Sequence, residues 1–121
     1  MSLYEASGLK RIIKAFGYSW DGLVASFRSE PAFRQELLLI LLVAPIPFIY
    51  HVPLLETLLM IGSLFLMLIA ELVNTAIEAV VDRISLDHHP LSKKAKDVGS
   101  ALVLVACANA LFIWVMVLWV S

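Results

Sequence analysis

The chain has 121 residues, a formal net charge of −1 and 61% hydrophobic residues, with a mean hydropathy of +0.91. Soluble domains carry about 45–50% apolar residues, so the composition excludes an ordinary soluble domain and fits a membrane protein. Near-neutral charge gives no electrostatic argument for nucleic acid, and the single Cys107 excludes a disulfide framework within one chain and a cysteine zinc site.

Residues 1–36 mix charge with apolar positions and show no short apolar core before a small-residue cleavage site. No cleavable signal peptide is expected, and the first apolar run should remain as an anchor. Residues 7–28 read as an amphipathic surface helix. Leu9, Ile12, Ile13, Phe16, Trp20, Leu23, Val24 and Phe27 follow i, i+3, i+4, i+7 spacing, while Lys10, Arg11, Lys14, Asp21 and Arg28 lie mostly off that stripe. Such a helix suits the plane of a membrane interface, with Ser7 as its N-cap.

Ser29-Glu30-Pro31 breaks this helix and restarts the chain, with Pro31 in a first turn and Ser29 as the expected cap. The first span covers 31–52. Positions 37–55 carry no Asp, Glu, Lys or Arg, close to the ~20 residues that cross a bilayer. Pro45 and Pro47 should kink or unwind it.

The second span, 54–83, would reach about 45 Å against a hydrocarbon core of about 30 Å. Its last turns should therefore emerge into water on the cytoplasmic side. At about 100° per residue, with Glu71 as zero, Asn74 falls near −60°, Thr75 near +40°, Glu78 near −20° and Asp82 near +20°. One arc thus carries the carboxylates, while Leu72, Val73, Ile77, Val80 and Val81 form the other faces. Ionisable groups at membrane depth cost about 2.5–3.5 kcal/mol each on insertion scales, so such a stripe points to function.

Residues 84–97 read as a cytoplasmic loop bearing Lys93, Lys94 and Lys96, with Ser92 as a cap. The third span covers 98–120. Trp114 and Trp119 fit an aromatic belt, and Ala106 and Ala110 give small-xxx-small spacing for close helix contact. The nine Lys and Arg stand at 10, 11, 14, 28, 34, 83, 93, 94 and 96. The positive-inside rule then puts the N-terminus and the 84–97 loop in the cytoplasm and the C-terminus outside. One short chain cannot enclose a large pocket alone, so a homo-oligomer is expected.

At the cytoplasmic interface Glu30, Glu36, Glu71, Glu78, Asp82 and Asp97 can converge with Arg11, Arg34, Lys94 and Lys96. Carboxylates holding Mg²⁺ beside basic residues suit a phosphorylated ligand. A carboxylate in the lipid zone suits a general base acting on a lipid hydroxyl. The residues alone point to phosphoryl or headgroup chemistry on a membrane lipid. A proton or cation pathway around Glu71 and a purely structural assembly subunit are the competing readings. There is no Walker A sequence and no kinase Gly-rich loop, so helix ends and side chains must cradle any nucleotide. Asp87-His88-His89 lacks the i, i+4 His pair of a helical metal site and reads as a solvated loop.

Four stretches carry a resemblance: Arg11-Ile12-Ile13-Lys14-Ala15-Phe16-Gly17-Tyr18-Ser19-Trp20; Ala32-Phe33-Arg34-Gln35-Glu36; Glu71, Asn74 and Ala76-Ile77-Glu78-Ala79-Val80-Val81-Asp82-Arg83; and Leu91-Ser92, Ala95-Lys96-Asp97 and Gly99-Ser100-Ala101. Together they resemble the small prokaryotic integral-membrane diacylglycerol kinases over nearly the whole chain. The resemblance implies an all-α membrane protein of three transmembrane helices plus the surface helix, assembled as a homotrimer with active sites shared between subunits. It implies transfer of the ATP γ-phosphate to diacylglycerol in the bacterial inner membrane. By matching positions, Glu71 would be the catalytic base, and Glu30 and Glu78 would hold Mg²⁺. Arg11, Tyr18, Glu30, Glu78, Asp87, His88, His89, Lys96 and Asp97 would meet ATP, with Asn74 and Asp82 in support. Arg11, Trp20, Arg34, Glu36, Glu71 and Ser100 would meet the lipid. Pro45, Pro47, Pro90 and Lys93 depart from the family pattern. Related members phosphorylate undecaprenol, although the N-terminal segment here looks more like that of the diacylglycerol enzymes.

Overall fold

The computed structural model describes residues 7–120, and these are helical, with no strand among them. Five helices follow in order: α1 (Gly8–Ser29), α2 (Pro31–Val43), α3 (Ile46–Ile49), α4 (Leu54–Ile84) and α5 (Pro90–Val120). The chain divides into two compact units, Met1–Pro31 and Ala32–Ser121.

In the first unit α1 runs for 22 residues. Ser7 stands at the N-cap and its carbonyl accepts the Arg11 N–H at 2.8 Å, but its hydroxyl makes no capping bond. Arg28 in the last turn complements the negative end of the helix. The break falls one residue later than expected. Ser29 is the last residue of α1 rather than the cap of the next helix, and Glu30 is the extended residue, at φ −116° and ψ 102°. Proline disfavours the α region for the residue before it, and here the break falls at Glu30, ahead of Pro31.

The second unit opens with α2. Its helical course ends at Val43, and a turn at Ala44 and Pro45 leads to α3. Pro45 and Pro47 cause this break. Pro47 has no N–H to continue the ladder, and the Pro45 carbonyl instead receives Phe48 and Ile49 at 3.1 and 3.0 Å. His51 then takes a left-handed conformation, φ 54°, which turns the chain toward α4. Three stretches are long and apolar enough to cross a membrane: Pro31–Ile49, Leu54–Ile84 and Pro90–Val120.

The expected loop at 84–97 is shorter than its boundaries suggest, because α5 starts at Pro90. Pro90 takes the first helical position, where a missing N–H costs nothing. His89, not Ser92, satisfies the helix start: its Nδ1 accepts the Leu91 N–H at 3.1 Å, and its carbonyl accepts that of Lys93 at 3.0 Å.

α4 and α5 pack along each other. Leu64, Met67 and Ala70 meet Ala106 and Ala110, and Ile40, Val43 and Ala44, from the end of α2 and the turn after it, close over this core. The two alanines, each 5% exposed, let the helices approach, as their spacing predicts. Trp114 departs from the aromatic-belt expectation. It turns into α4, where its indole N–H donates to the Met60 carbonyl at 3.0 Å and to Ser63 Oγ at 3.2 Å. An indole N–H in a helix interface needs an acceptor, and α4 offers two. Trp119 does stay exposed.

Candidate functional site

The face of α4 that buries Met60, Ser63, Leu64, Met67 and Ala70 continues into Glu71, Asn74, Thr75, Glu78, Val81 and Asp82. Successive members are one or three residues apart, which keeps them on one side of the helix, so one face changes from apolar to polar without turning away from its neighbours. The predicted arc is therefore buried at Glu71, half-buried at Asn74, Thr75 and Glu78, and exposed at Asp82; Val81, expected on another face, is buried beside it.

Glu71 is 4% exposed and Glu36 of α2 is 9% exposed, and their carboxyl groups face one another. Glu36 Oε1 is buried without a hydrogen-bond partner. One turn on, Asn74 Nδ2 donates to Glu78 Oε1 at 3.4 Å, at the long end of the useful range. Asn74 Oδ1 and Thr75 Oγ1 are also buried and unpartnered. Gly99 of α5 lies directly against the Asn74 amide.

Three turns beyond Glu71 the stripe reaches α5. Lys96 Nζ pairs with Asp82 Oδ1 at 2.6 Å, both side chains being close to half-exposed. Lys96 lies just before the uncharged stretch that opens at Val98. Its hydrogen bond to Asp82 holds the ammonium above the ordinary lysine range; desolvation opposes this, and the charges of Asp82 and Glu78 assist it. Lys96 is thus a full cation at neutral pH. Lys93 Nζ pairs with Asp97 Oδ2 at 2.5 Å on the exposed side of α5.

A cavity of about 670 Å³ opens between the end of α4 and the start of α5, within the size range of small-molecule sites. Asp82, Asp87, His88, His89, Lys96 and Asp97 line it, as do Ser85, Ser92 and Lys93. The last three were not legible as site residues, because a serine or lysine in a polar connection carries no periodic signal. Ser85 Oγ accepts the Asp87 N–H at 3.0 Å and so shapes the turn. Lysines, imidazoles and a helix N-terminus in one cavity suit a polyphosphate.

Of the other predicted residues, Arg34 and Ser100 are exposed on the second unit, and Arg11, Tyr18, Trp20 and Glu30 belong to the first. Among the described residues no group of three or more His, Cys, Asp or Glu side chains is arranged to hold a metal. Glu78 and the orphaned Asn74 Oδ1 are nevertheless hard oxygen donors of the kind Mg²⁺ takes together with substrate phosphates.

Residues 17–118 match the family described as prokaryotic diacylglycerol kinase. The chain is 49% identical over 115 residues to the diacylglycerol kinase of Escherichia coli (strain K12), covering 95% of this chain and 94% of the relative. It is 51% identical over 112 residues to the diacylglycerol kinase of Pseudomonas aeruginosa, covering 93% and 91%. With that of Haemophilus influenzae it shares 40% over 112 residues, covering 93% and 95%. A family match over residues 17–118 and near-half identity over more than nine-tenths of the chain have one meaning: the chain belongs to the prokaryotic diacylglycerol kinase family.

Proposed function

We propose that the chain is a lipid kinase that transfers the γ-phosphate of ATP to the free hydroxyl of diacylglycerol, giving phosphatidic acid. One observation carries this reading. A single face of α4 runs from the buried Glu71 to the Asp82–Lys96 pair at the rim of a cavity that suits a nucleotide. A phosphoryl donor dissolved in water and an acceptor anchored in lipid require such a continuous polar path.

In this mechanism Glu71 accepts the proton of the lipid hydroxyl. The hydroxyl oxygen bonds to the γ-phosphorus as the bond to the β–γ bridging oxygen breaks, and ADP leaves. Phosphoryl transfer depends mostly on in-line positioning and on neutralising phosphate charge. Lys96, Asp97, Asp87, His88 and His89 hold the nucleotide, with Arg11 and Tyr18 as further contacts. Glu78 with Asn74 Oδ1, and Glu30 from the same or another subunit, would hold Mg²⁺, which when bound spreads the phosphate charge. Asp82 keeps Lys96 charged and in place. Glu36, Arg34, Ser100 and Trp20 border the lipid. The protein sits in the bacterial inner membrane with its N-terminus cytoplasmic and its C-terminus periplasmic, and α1 lies as an amphipathic helix in the cytoplasmic interface. It assembles as a homotrimer with shared sites. One chain leaves Leu41, Leu42, Phe65, Leu104, Val105 and Phe112 exposed, and in a bilayer acyl chains or a neighbouring subunit cover them.

The test is phosphate transfer by the purified protein from Mg-ATP in mixed micelles holding diacylglycerol, undecaprenol or neither. Transfer to diacylglycerol is expected to dominate. Preference for undecaprenol would reassign the substrate. ATP-independent proton flux in sealed liposomes with no transfer would replace the enzyme reading with the ion pathway.

A further inference from the structure

We propose that Gly99 is a positioning residue, whose missing side chain leaves the space that holds the Asn74 amide against Glu78. The inference rests on the reading of Asn74 and Glu78 given above and deepens it. Gly99 is buried within α5 and takes an ordinary helical conformation, since no glycine among the described residues has a positive φ. Nothing in the backbone requires glycine there, and in a helix interior glycine is disfavoured against alanine. The requirement lies across the interface. A Cβ built on Gly99 would run into Asn74 Oδ1, and it would stand 3.4 Å from Asn74 Cγ and 3.5 Å from Ile77 Cδ1. The other four glycines, Gly8, Gly17, Gly22 and Gly62, have nothing within 4 Å of such a Cβ.

What an added methyl would displace is the end of a side chain, not a backbone. The helices can stay where they are while the Asn74 amide rotates. That rotation moves two things at once: the Nδ2 donor 3.4 Å from Glu78 Oε1, and the buried Oδ1 that has no protein partner. A buried carbonyl oxygen beside a carboxylate is a donor set that suits a hard cation or its water shell. Gly99 therefore acts on divalent-cation handling through Asn74 rather than on the stability of α5.

The experiment uses the full chain in diacylglycerol mixed micelles with three variants: Gly99→Ala, Asn74→Ala and the two combined. Gly99→Ala is expected to lower kcat about 10- to 100-fold, the scale of a displacement near 1 Å in a site. Binding of Mn²⁺ in the presence of ADP, followed by loss of the free-ion EPR signal, should weaken in parallel. Its melting temperature should be equal to or above that of the parent. The double variant should be no worse than Asn74→Ala alone, because the clash has lost its target. A Gly99→Ala protein with normal kcat and Mn²⁺ binding overturns the inference, as do additive losses in the double variant. Failure of Gly99→Ala to fold overturns it too, since the methyl would then strain helix packing rather than one amide. Normal activity in Asn74→Ala would instead remove the assigned role of Asn74, which separates failure of the parent reading from failure of this one.

Discussion

Glu71→Gln isolates the charge of the proposed base while keeping the shape of its side chain. Glu71 is 4% exposed, so bulk water and buffer bases cannot replace it. General-base catalysis contributes about 10²–10⁴-fold, equivalent to about 2.7–5.4 kcal/mol of barrier at about 1.36 kcal/mol per tenfold. Loss of kcat in that range is expected. KM for ATP should hardly move. Asp82, at the rim of the nucleotide cavity, lies eleven residues further along α4, about 16 Å at 1.5 Å per residue. Folding should also survive, because the amide N–H of the glutamine can donate to the facing Glu36 carboxyl and a buried amide is less costly than a buried charge. The assay is transfer of labelled γ-phosphate to diacylglycerol in mixed micelles over a range of ATP, beside size-exclusion and thermal-melting runs. Full kcat with an intact assembly would refute the assignment of Glu71. A rise in KM for ATP without loss of kcat would refute the separation of the two ends of the stripe.

Four further outcomes follow from the same structure. Lys96→Met should raise KM for ATP at least about tenfold, as loss of a charge-assisted phosphate contact does, with little change in melting, since both members of the Asp82–Lys96 pair are close to half-exposed. Because Asp82 raises the Lys96 ammonium above its ordinary 10.5, this pair is fully formed below that value and is lost only as pH rises through the higher folded value. Lys96-dependent nucleotide binding should therefore stay level across neutral and mildly alkaline pH, and a decline in ADP titrations between pH 7 and 9 that Lys96→Met abolishes would contradict this. Trp114→Phe removes both indole hydrogen bonds to α4 and should lower stability by about 0.6–1.7 kcal/mol, the range of interhelical hydrogen bonds in membranes, read by denaturant titration in micelles with activity as the control. Ala110→Leu overfills the contact with α4 and should cost about 1–3 kcal/mol; an unchanged melting curve would show that the helices do not meet there.

Hydropathy and a 100° step were enough to recognise three apolar spans, the polar arc on the second and the small-residue stripe on the third, because each of these is a property of one helix. Proline and charge likewise marked the breaks, although the chain resumes helix at Pro90, earlier than the run of lysines suggests, because His89 supplies the cap through its ring nitrogen. Which face meets which neighbour is a property of pairs, and no single-helix pattern contains it. Packing alone put Glu36 opposite Glu71 and Lys96 onto Asp82. It also turned Trp114 away from the lipid interface toward two acceptors on α4, and set Gly99 beneath the Asn74 amide. Alanine and glycine on α5 permit that close approach, and once two helices are that near, the few groups able to share a hydrogen bond or a gap are decided by ångström-scale fit, which residue type and spacing do not encode.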